Sequence, residues 1–404
     1  MHAIMYGAGN IGRGFIGKRF SLSGWDVTFV DINEAVVKQL QKDGGYPVYV
    51  TRGNEYVKEW VGNCTGFDGK DVDGVVKLIA ECDILATSLG VNVLPYVAEN
   101  LAKGIAARYA AGGKPLNILI CENLIGSEKI LRGYVRPYIP EELVTYFEEQ
   151  IGFVSCCVGI TVPPTPKKFT DENPLAVCTD YYNELPADLT AFRPVGAPTP
   201  EMNGLVPFTP FDFYIERKLM LHNMGHATMA YLGYQKGHSY IYEVGRDPEI
   251  KYILIRALDE SARGLAKRHG ASLDGLMSFI DNLIPRLDNP LLEDTLLRVG
   301  KDTKRKLSPS DRLVGAFNCV KESGKTPAYL AVGIAAGLLW DCEGDDAGKE
   351  VSTCAKTEGV AVALAKYSQI TDEKDVALIK RFYDMLAAKA PFADIIAALN
   401  EYAE

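Results

Sequence analysis

The sequence has no CxxC pair, no HExxH and only five histidines, so the common spacings of a zinc site are missing. Its nine cysteines are an odd number, and Cys156 and Cys157 are adjacent, as core strand residues often are. That usage predicts free buried thiols in a reducing cytoplasm rather than a disulfide framework. Positive charge is in deficit: 43 Lys and Arg stand against 52 Asp and Glu, a net charge of −9. Nucleic acid and anionic membrane are thereby excluded as main partners, and an anionic substrate must be met by a local basic cluster. Long apolar runs are scarce. The uncharged stretches Gln150 to Pro166 and Thr326 to Trp340 contain proline and glycine and are short for a bilayer. The first predicts a buried strand with a proline-rich exit, the second a buried helix. No signal segment is expected, because a strand pattern begins at residue 3. No internal repeat or low-complexity segment is present.

Glycine, in contrast, is placed with purpose at the start. Ala3-Ile4-Met5-Tyr6 reads as a strand and runs into GAGNIGRGFIG, Gly7 to Gly17. Gly7, Gly9 and Gly12 have the G-x-G-x-x-G spacing of a dinucleotide-binding βαβ unit. The first allows a tight turn, the second lets N–H groups approach a pyrophosphate, and the third lets the helix pack on the strand. Gly7, Gly9, Asn10, Ile11, Gly12 and Arg13 are therefore cofactor candidates, the anion lying at a helix N-terminus. Lys18 is a nearby cation that reads equally as a solvated helix charge. A second strand, Val27 to Val30, ends at Asp31, 19 residues past Gly12, where a carboxylate would meet the adenosine ribose. Ile32 and Asn33 follow it, with no arginine for a 2′-phosphate, so NAD is favoured over NADP. The alternative is a glycine-rich turn that binds nothing.

The N-terminal half alternates strand and helix, as a parallel sheet requires. Further strands are expected at Ile84–Thr87, Asn117–Cys121 and Phe153–Ile160, with antiparallel excursions between Val48 and Val61. Ser88 and Gly90, after the third parallel strand, are placed to line the cofactor cleft. Between Glu184 and Phe213 six prolines crowd into Pro186–Pro210, which predicts a linker or substrate-side loop. Beyond it helical period dominates: Ile215–Leu232, Glu249–His269, Leu273–Leu283, Lys325–Trp340, Lys349–Tyr367 and Glu373–Ala388. The expected fold is an α/β Rossmann-type doubly wound sheet over 1–208, followed by a mostly α-helical domain over 209–404.

One helix stands out for chemistry. From Ile215 to His226 it presents Lys218, Asn223 and His226. At about 100° per residue His226 lies roughly 80° around from Lys218, and Asn223 and His226, three apart, share a face. An amine, an amide and an imidazole can thus serve one cleft; on spacing alone they are equally a polar helix face. Gly225, mid-helix, suggests close approach of a nicotinamide or another backbone. His222 and His226, four apart, have metal-ligand spacing but no acid between them.

Taken together, GAGNIGRGFIG, Cys121-Glu122-Asn123 and Lys218…Asn223-x-x-His226 resemble the polyol-specific long-chain dehydrogenases. Asn289-Pro290, Arg298-Val299-Gly300, Arg305-Lys306-Leu307-Ser308 and Asp311-Arg312-Leu313 are similar too, and the resemblance runs from Met1 to about residue 388. The strand's early start is similar to the phosphate-using branch. The resemblance implies NAD-dependent hydride transfer without a metal, interconverting D-mannitol 1-phosphate and D-fructose 6-phosphate. Lys218 would be the acid/base, Asn123 and Asn223 would donate to the reacting oxygen, and His226 would orient a hydroxyl. Arg298 and Lys306 resemble substrate-contacting positions, whereas His222, outside the motif, would have a surface or supporting place. The basic run Lys301, Lys304, Arg305 and Lys306 is what a phosphate dianion requires, or else a solvated turn. Gly159-Ile160 stands where the family carries an Asp-Arg pair, which leaves open another polyol phosphate or a hexuronate such as fructuronate or tagaturonate. A catalytically silent NAD-sensing protein is the reading from another class.

Overall fold

The computed structural model describes residues 1–402. The chain forms two compact units, Met1–Tyr214 and a second beginning at Ile215; composition placed the change at 208/209.

In the first unit β1 (His2–Tyr6), β2 (Asp26–Asp31), β3 (Tyr46–Arg52), β4 (Glu55–Val61), β5 (Cys64–Asp68), β6 (Ile84–Thr87), β7 (Leu116–Ile120) and β8 (Ile151–Ser155) follow in chain order. They are joined by β9 (Val177–Thr179), β10 (Leu185–Asp188) and β11 (Leu205–Phe208). Six of these form one parallel sheet in the order β5-β2-β1-β6-β7-β8. Strand order reverses between β1 and β6, and in such sheets the crevice at this switch point takes the ligand. β1 shows why the sheet is buried on both sides. Ala3 and Met5 point into one core, with Phe15, Phe20 and Phe29. Ile4 and Tyr6 point into the other, with Val30, Ile79 and Ile118. The period of two is apolar on both faces, as a sheet flanked by helices demands.

The antiparallel excursion is β3 paired with β4, closed between Arg52 and Glu55 by Gly53 in a left-handed turn (φ 59°). β9 extends it on the other edge. Two expectations from the sequence need correction. The strand expected over Phe153–Ile160 ends at Ser155, and only an isolated bridge, Cys156 with Ala187, continues it. The proline-rich segment is no linker, because β10 and β11 pair in parallel within the first unit. Strands of four residues are too short to show a period among prolines.

The second unit is helical. Its longest helix, Pro248–His269, is capped at both ends by suitable residues. Asp247 accepts from the N–H groups of Glu249 and Ile250, and Gly270 ends the helix at φ 62°. Ala328–Leu338 is buried at every position. Gly333 and Gly337, one turn apart, leave room there for Thr228 and the Tyr231 ring; a Cβ would lie 2.9 and 3.2 Å from them. The helix expected over Lys349–Tyr367 is broken at Gly359 (φ 102°) into Asp346–Thr357 and a second stretch from Val360 to Ser368. Eight cysteines are buried, Cys342 is partly exposed, and none is bridged. No described helix is long and apolar enough to cross a membrane.

Candidate active site

In the first unit the candidate residues gather at the glycine turn at the end of β1. Gly7 has φ 107°, and a Cβ on it would lie 2.4 Å from the Ser88 carbonyl oxygen; one on Gly12 would lie 2.1 Å from the Gly7 carbonyl. Both positions are closed to any side chain. Gly9 is the opposite case: it is exposed, and a Cβ there would meet nothing within 4 Å. Open space therefore lies over the middle of the turn, as the approach of a pyrophosphate requires. Asn10 is exposed beside it, and Ile11 packs partly onto the sheet core. Asp31, partly exposed at the end of β2, accepts from Ala8 N at 2.7 Å and Asn33 N at 2.9 Å. Its carboxylate is thus fixed against the turn. These residues fit an adenine dinucleotide.

Arg13 is corrected. Its guanidinium is buried and donates to the Ala8 and Leu175 carbonyls, so it braces the turn rather than reaching for an anion. Lys18 is not solvated either: it is buried and paired with Glu59 at 2.6 Å. Sequence reasoning passed over Glu122. This buried carboxyl accepts from Thr87 Oγ1 at 2.7 Å and Leu89 N at 3.0 Å, tying together the carboxyl ends of β6 and β7. It thereby sets the loops that carry Ser88, Gly90 (φ 90°) and the exposed Asn123.

A separate set of candidate residues stands on the helical run from Asp212 to Gln235. Between Lys218 and Asn223 it widens into a π-helix before continuing as α-helix from Met224. In a regular α-helix residues five apart diverge by about 140°. A turn closed by i→i+5 bonds brings them closer to one face, and such turns are frequent at functional sites. Lys218, Asn223 and His226 are all partly buried. At Gly225 the close approach is by side chains: a Cβ there would lie 3.3 Å from both Leu254 and Leu258 of the Pro248–His269 helix.

His222 is buried, not at the surface. Burial first, then the electrostatic influence of Arg286, His226, Lys218 and Arg312, pushes its imidazole well below the usual range. It is therefore neutral at pH 7 and is the common neighbour of the site's cations. Its ring lies nearly parallel to that of His226, with centroids 5.8 Å apart. Among the described residues no group of three metal-ligating side chains includes them. His226 Nε2 meets the buried Asp294 at 3.1 Å, and Asp294 also receives two bonds from Arg298. One carboxylate thus joins two residues that stand apart in the sequence motifs.

The basic run does not act as one cluster. Lys304 pairs with Glu350, while Arg305 is half-exposed and engaged by Asp302 and Asp311. Arg305 is accordingly corrected as a phosphate contact. Lys306 alone turns inward: burial, then Arg312 and Arg305, lower its ammonium to about 8. Arg312 acts on both His222 and Lys306 and is held by Asp311 at 2.7 Å. Arg312 stands in the family-like stretch Asp311-Arg312-Leu313, which gave it no role of its own, and Arg286 stands in no motif. At Gly159 a Cβ would lie 2.8 Å from the Tyr182 ring, so the absent Asp-Arg pair is replaced by aromatic packing.

Residues 1–197 match the family described as mannitol dehydrogenase Rossmann domain, and residues 211–400 that described as mannitol dehydrogenase C-terminal domain. The chain is 36% identical over 370 residues to a mannitol-1-phosphate 5-dehydrogenase of Geobacillus thermodenitrificans, covering 91% of this chain and 94% of the relative. It is 36% identical over 372 residues to one of Anoxybacillus flavithermus, covering 92% and 96%. In structure it is similar to a substrate-free D-sorbitol dehydrogenase (TM-score 0.80, 16% identity, 96% and 93% covered). It is also similar to the Pseudomonas fluorescens mannitol 2-dehydrogenase solved with NAD and D-mannitol (TM-score 0.71, 16% identity, 99% and 94% covered).

Proposed function

We propose that this chain, which belongs to the mannitol dehydrogenase family, is an NAD-dependent dehydrogenase interconverting D-mannitol 1-phosphate and D-fructose 6-phosphate. The observation that carries the substrate is the buried Lys306 with the partly buried Arg312 in a chain of net charge −9. The relatives at 36% identity are named for the same phosphate ester.

Gly9, Asn10, Ile11 and Gly12 would hold the pyrophosphate, with Ser88 and Gly90 beside it. Asp31 would take the ribose hydroxyls and repel a 2′-phosphate. When bound, NAD supplies the hydride acceptor. Lys218 Nζ takes the substrate hydroxyl proton in oxidation and returns it in reduction, which requires the amine neutral before the forward step. The Asn223 amide donates to the reacting oxygen, the role also assigned to Asn123. His226 orients a neighbouring hydroxyl. Arg298, Arg312 and Lys306 meet the anionic substrate, and a phosphate dianion beside Lys306 favours its charged form.

The test is NADH oxidation with fructose 6-phosphate, fructose and fructuronate in parallel. Fructose 6-phosphate should be preferred by a hundredfold or so in kcat/KM, the worth of one or two charge-assisted bonds of about 1.5–3 kcal/mol. Lys306→Ala should raise its KM roughly ten- to a hundredfold, and Arg305→Ala much less. Equal use of fructose removes the phosphate reading. Preference for fructuronate moves the assignment to the hexuronates and makes Gly159-Ile160 the first place to look.

A further inference from the structure

We infer that Asp294 is a positioning residue. It fixes His226 as the Nε2–H tautomer, leaves Nδ1 as a hydrogen-bond acceptor for a substrate hydroxyl, and holds Arg298 in the same grip. The inference deepens the reading of the Lys218–His226 helix given above and rests on it.

The geometry is specific. Asp294 is 5% exposed and stands just before Thr295, whose Oγ1 accepts from Arg298 N at the start of the Leu296–Gly300 helix. Its own carbonyl accepts from Ile241 N at 2.9 Å, so the backbone beneath the carboxylate is tied down. One carboxylate oxygen meets His226 Nε2 at 3.1 Å, and both oxygens are bound by Arg298. Burial by itself would raise the carboxyl. The bonds from His226 and Arg298 outweigh it and hold the group below the usual carboxylate range, so it is ionised at neutral pH.

An ionised carboxylate only accepts, so the imidazole nitrogen facing it must carry the hydrogen. A neutral imidazole has one N–H, and Nδ1 is then left with its lone pair. A carboxylate on the far nitrogen fixes both tautomer and ring angle in other imidazole sites. Here the same oxygens also fix a guanidinium whose side chain is 48% exposed and has no other carboxylate among its described bonds. Arg298 is thereby preorganised, and its rotamer freedom is spent before a ligand arrives. The groups acting on Asp294 are His226 and Arg298, and the His226 ring lies 5.8 Å from that of His222, which Arg286, Lys218 and Arg312 also face.

The experiment is nitrogen-resolved NMR of 15N-histidine in the full chain, with steady-state kinetics on Asp294→Asn. The parent should show His226 as the Nε2–H tautomer near pH 7.5. Asparagine has a single acceptor oxygen, and the donor-only Arg298 claims it. The amide NH2 then faces His226 and inverts the tautomer, and KM for fructose 6-phosphate should rise tenfold or more while Kd for NADH is unchanged. An Nδ1–H tautomer in the parent overturns the inference. So does an Asp294→Asn protein that melts earlier yet keeps both tautomer and KM, since that is a purely structural ion pair. If the variant does not fold, the parent's tautomer still decides. That reading is made without substrate, so it stands or falls apart from which sugar the enzyme takes.

Discussion

Each unit contains a π-helical turn among its candidate residues, Gly12–Gly17 in the first and Lys218–Asn223 in the second, and they reach it by opposite means. The first has three glycines in six residues; the second is built from Lys, Leu, Met, Leu, His and Asn. In each, a hydroxyl from a distant element meets a carbonyl inside the wide turn. Tyr46 Oη donates to Arg13 O at 2.8 Å, and Ser261 Oγ to Met220 O at 2.8 Å. A wide turn shifts the carbonyls out of their α-helical register, and an outside donor stabilises that departure. The difference lies in what each turn displays. The glycine turn removes side chains so that other elements can pack against it: a Cβ on Gly14 would lie 2.8 Å from Val177, and one on Gly17 2.3 Å from the Phe29 ring. The Lys218 turn moves side chains to one face.

The sharpest way to break the comparison is to delete a displayed group. Lys218→Ala should lower kcat by roughly a hundred- to ten-thousandfold, as for other general acid–base residues. NADH binding, measured by fluorescence titration, should be unchanged, because the residues proposed to hold the cofactor belong to the other unit. Activity within about tenfold of the parent would show that another group moves the proton.

This contrast also explains what the sequence made legible. The glycine spacing and Asp31 can be read directly, because backbone sterics fix them: at Gly7 and Gly12 no Cβ fits. Lys218, Asn223 and His226 can be read as a set on one helix, but the wide turn that brings Lys218 toward the face of Asn223 cannot. Nothing in Lys-Leu-Met-Leu-His-Asn announces a wide turn, and the hydroxyl that meets it comes from Ser261, 41 residues away. Asp294 was hidden for a related reason. Four residues before Arg298, it looks like an ordinary surface ion pair until the fold brings His226 to its other side. Gly225 was read correctly as a point of close approach, yet its partners, Leu254 and Leu258, lie on a separate helix. The basic run misled because charge in sequence does not say which side chain turns inward; only Lys306 does.

A second test sharpens the first unit's side of the comparison, where one side chain carries the chemistry. Asp31→Ser should narrow the preference for NAD over NADP by about tenfold or more, each 1.4 kcal/mol or so being a factor of ten. The measurement is kcat/KM for both nucleotides. Similar values in the parent would remove Asp31 from the ribose site.

The smallest effect tests the shared device itself. Ser261 is fully buried, and Ser261→Ala leaves the Met220 carbonyl without its outside donor at a cost of about 1–3 kcal/mol. Tyr46→Phe does the same to the Arg13 carbonyl, with a loss of similar size, about 1–3 kcal/mol. Urea midpoints should therefore fall for both. Kinetics should separate them. Relaxing the Lys218–Asn223 turn toward regular α-helix rotates Lys218 away from Asn223, so Ser261→Ala should lower kcat several-fold and leave NADH affinity alone. Relaxing the glycine turn moves backbone N–H groups and no catalytic side chain, so Tyr46→Phe should weaken NADH binding several-fold at nearly unchanged kcat. If both variants lower kcat and NADH affinity alike, the two turns are not doing separate work. If neither loses stability, the hydroxyls are accessory and the wide turns are held by packing instead, as where Gly17 meets the Phe29 ring.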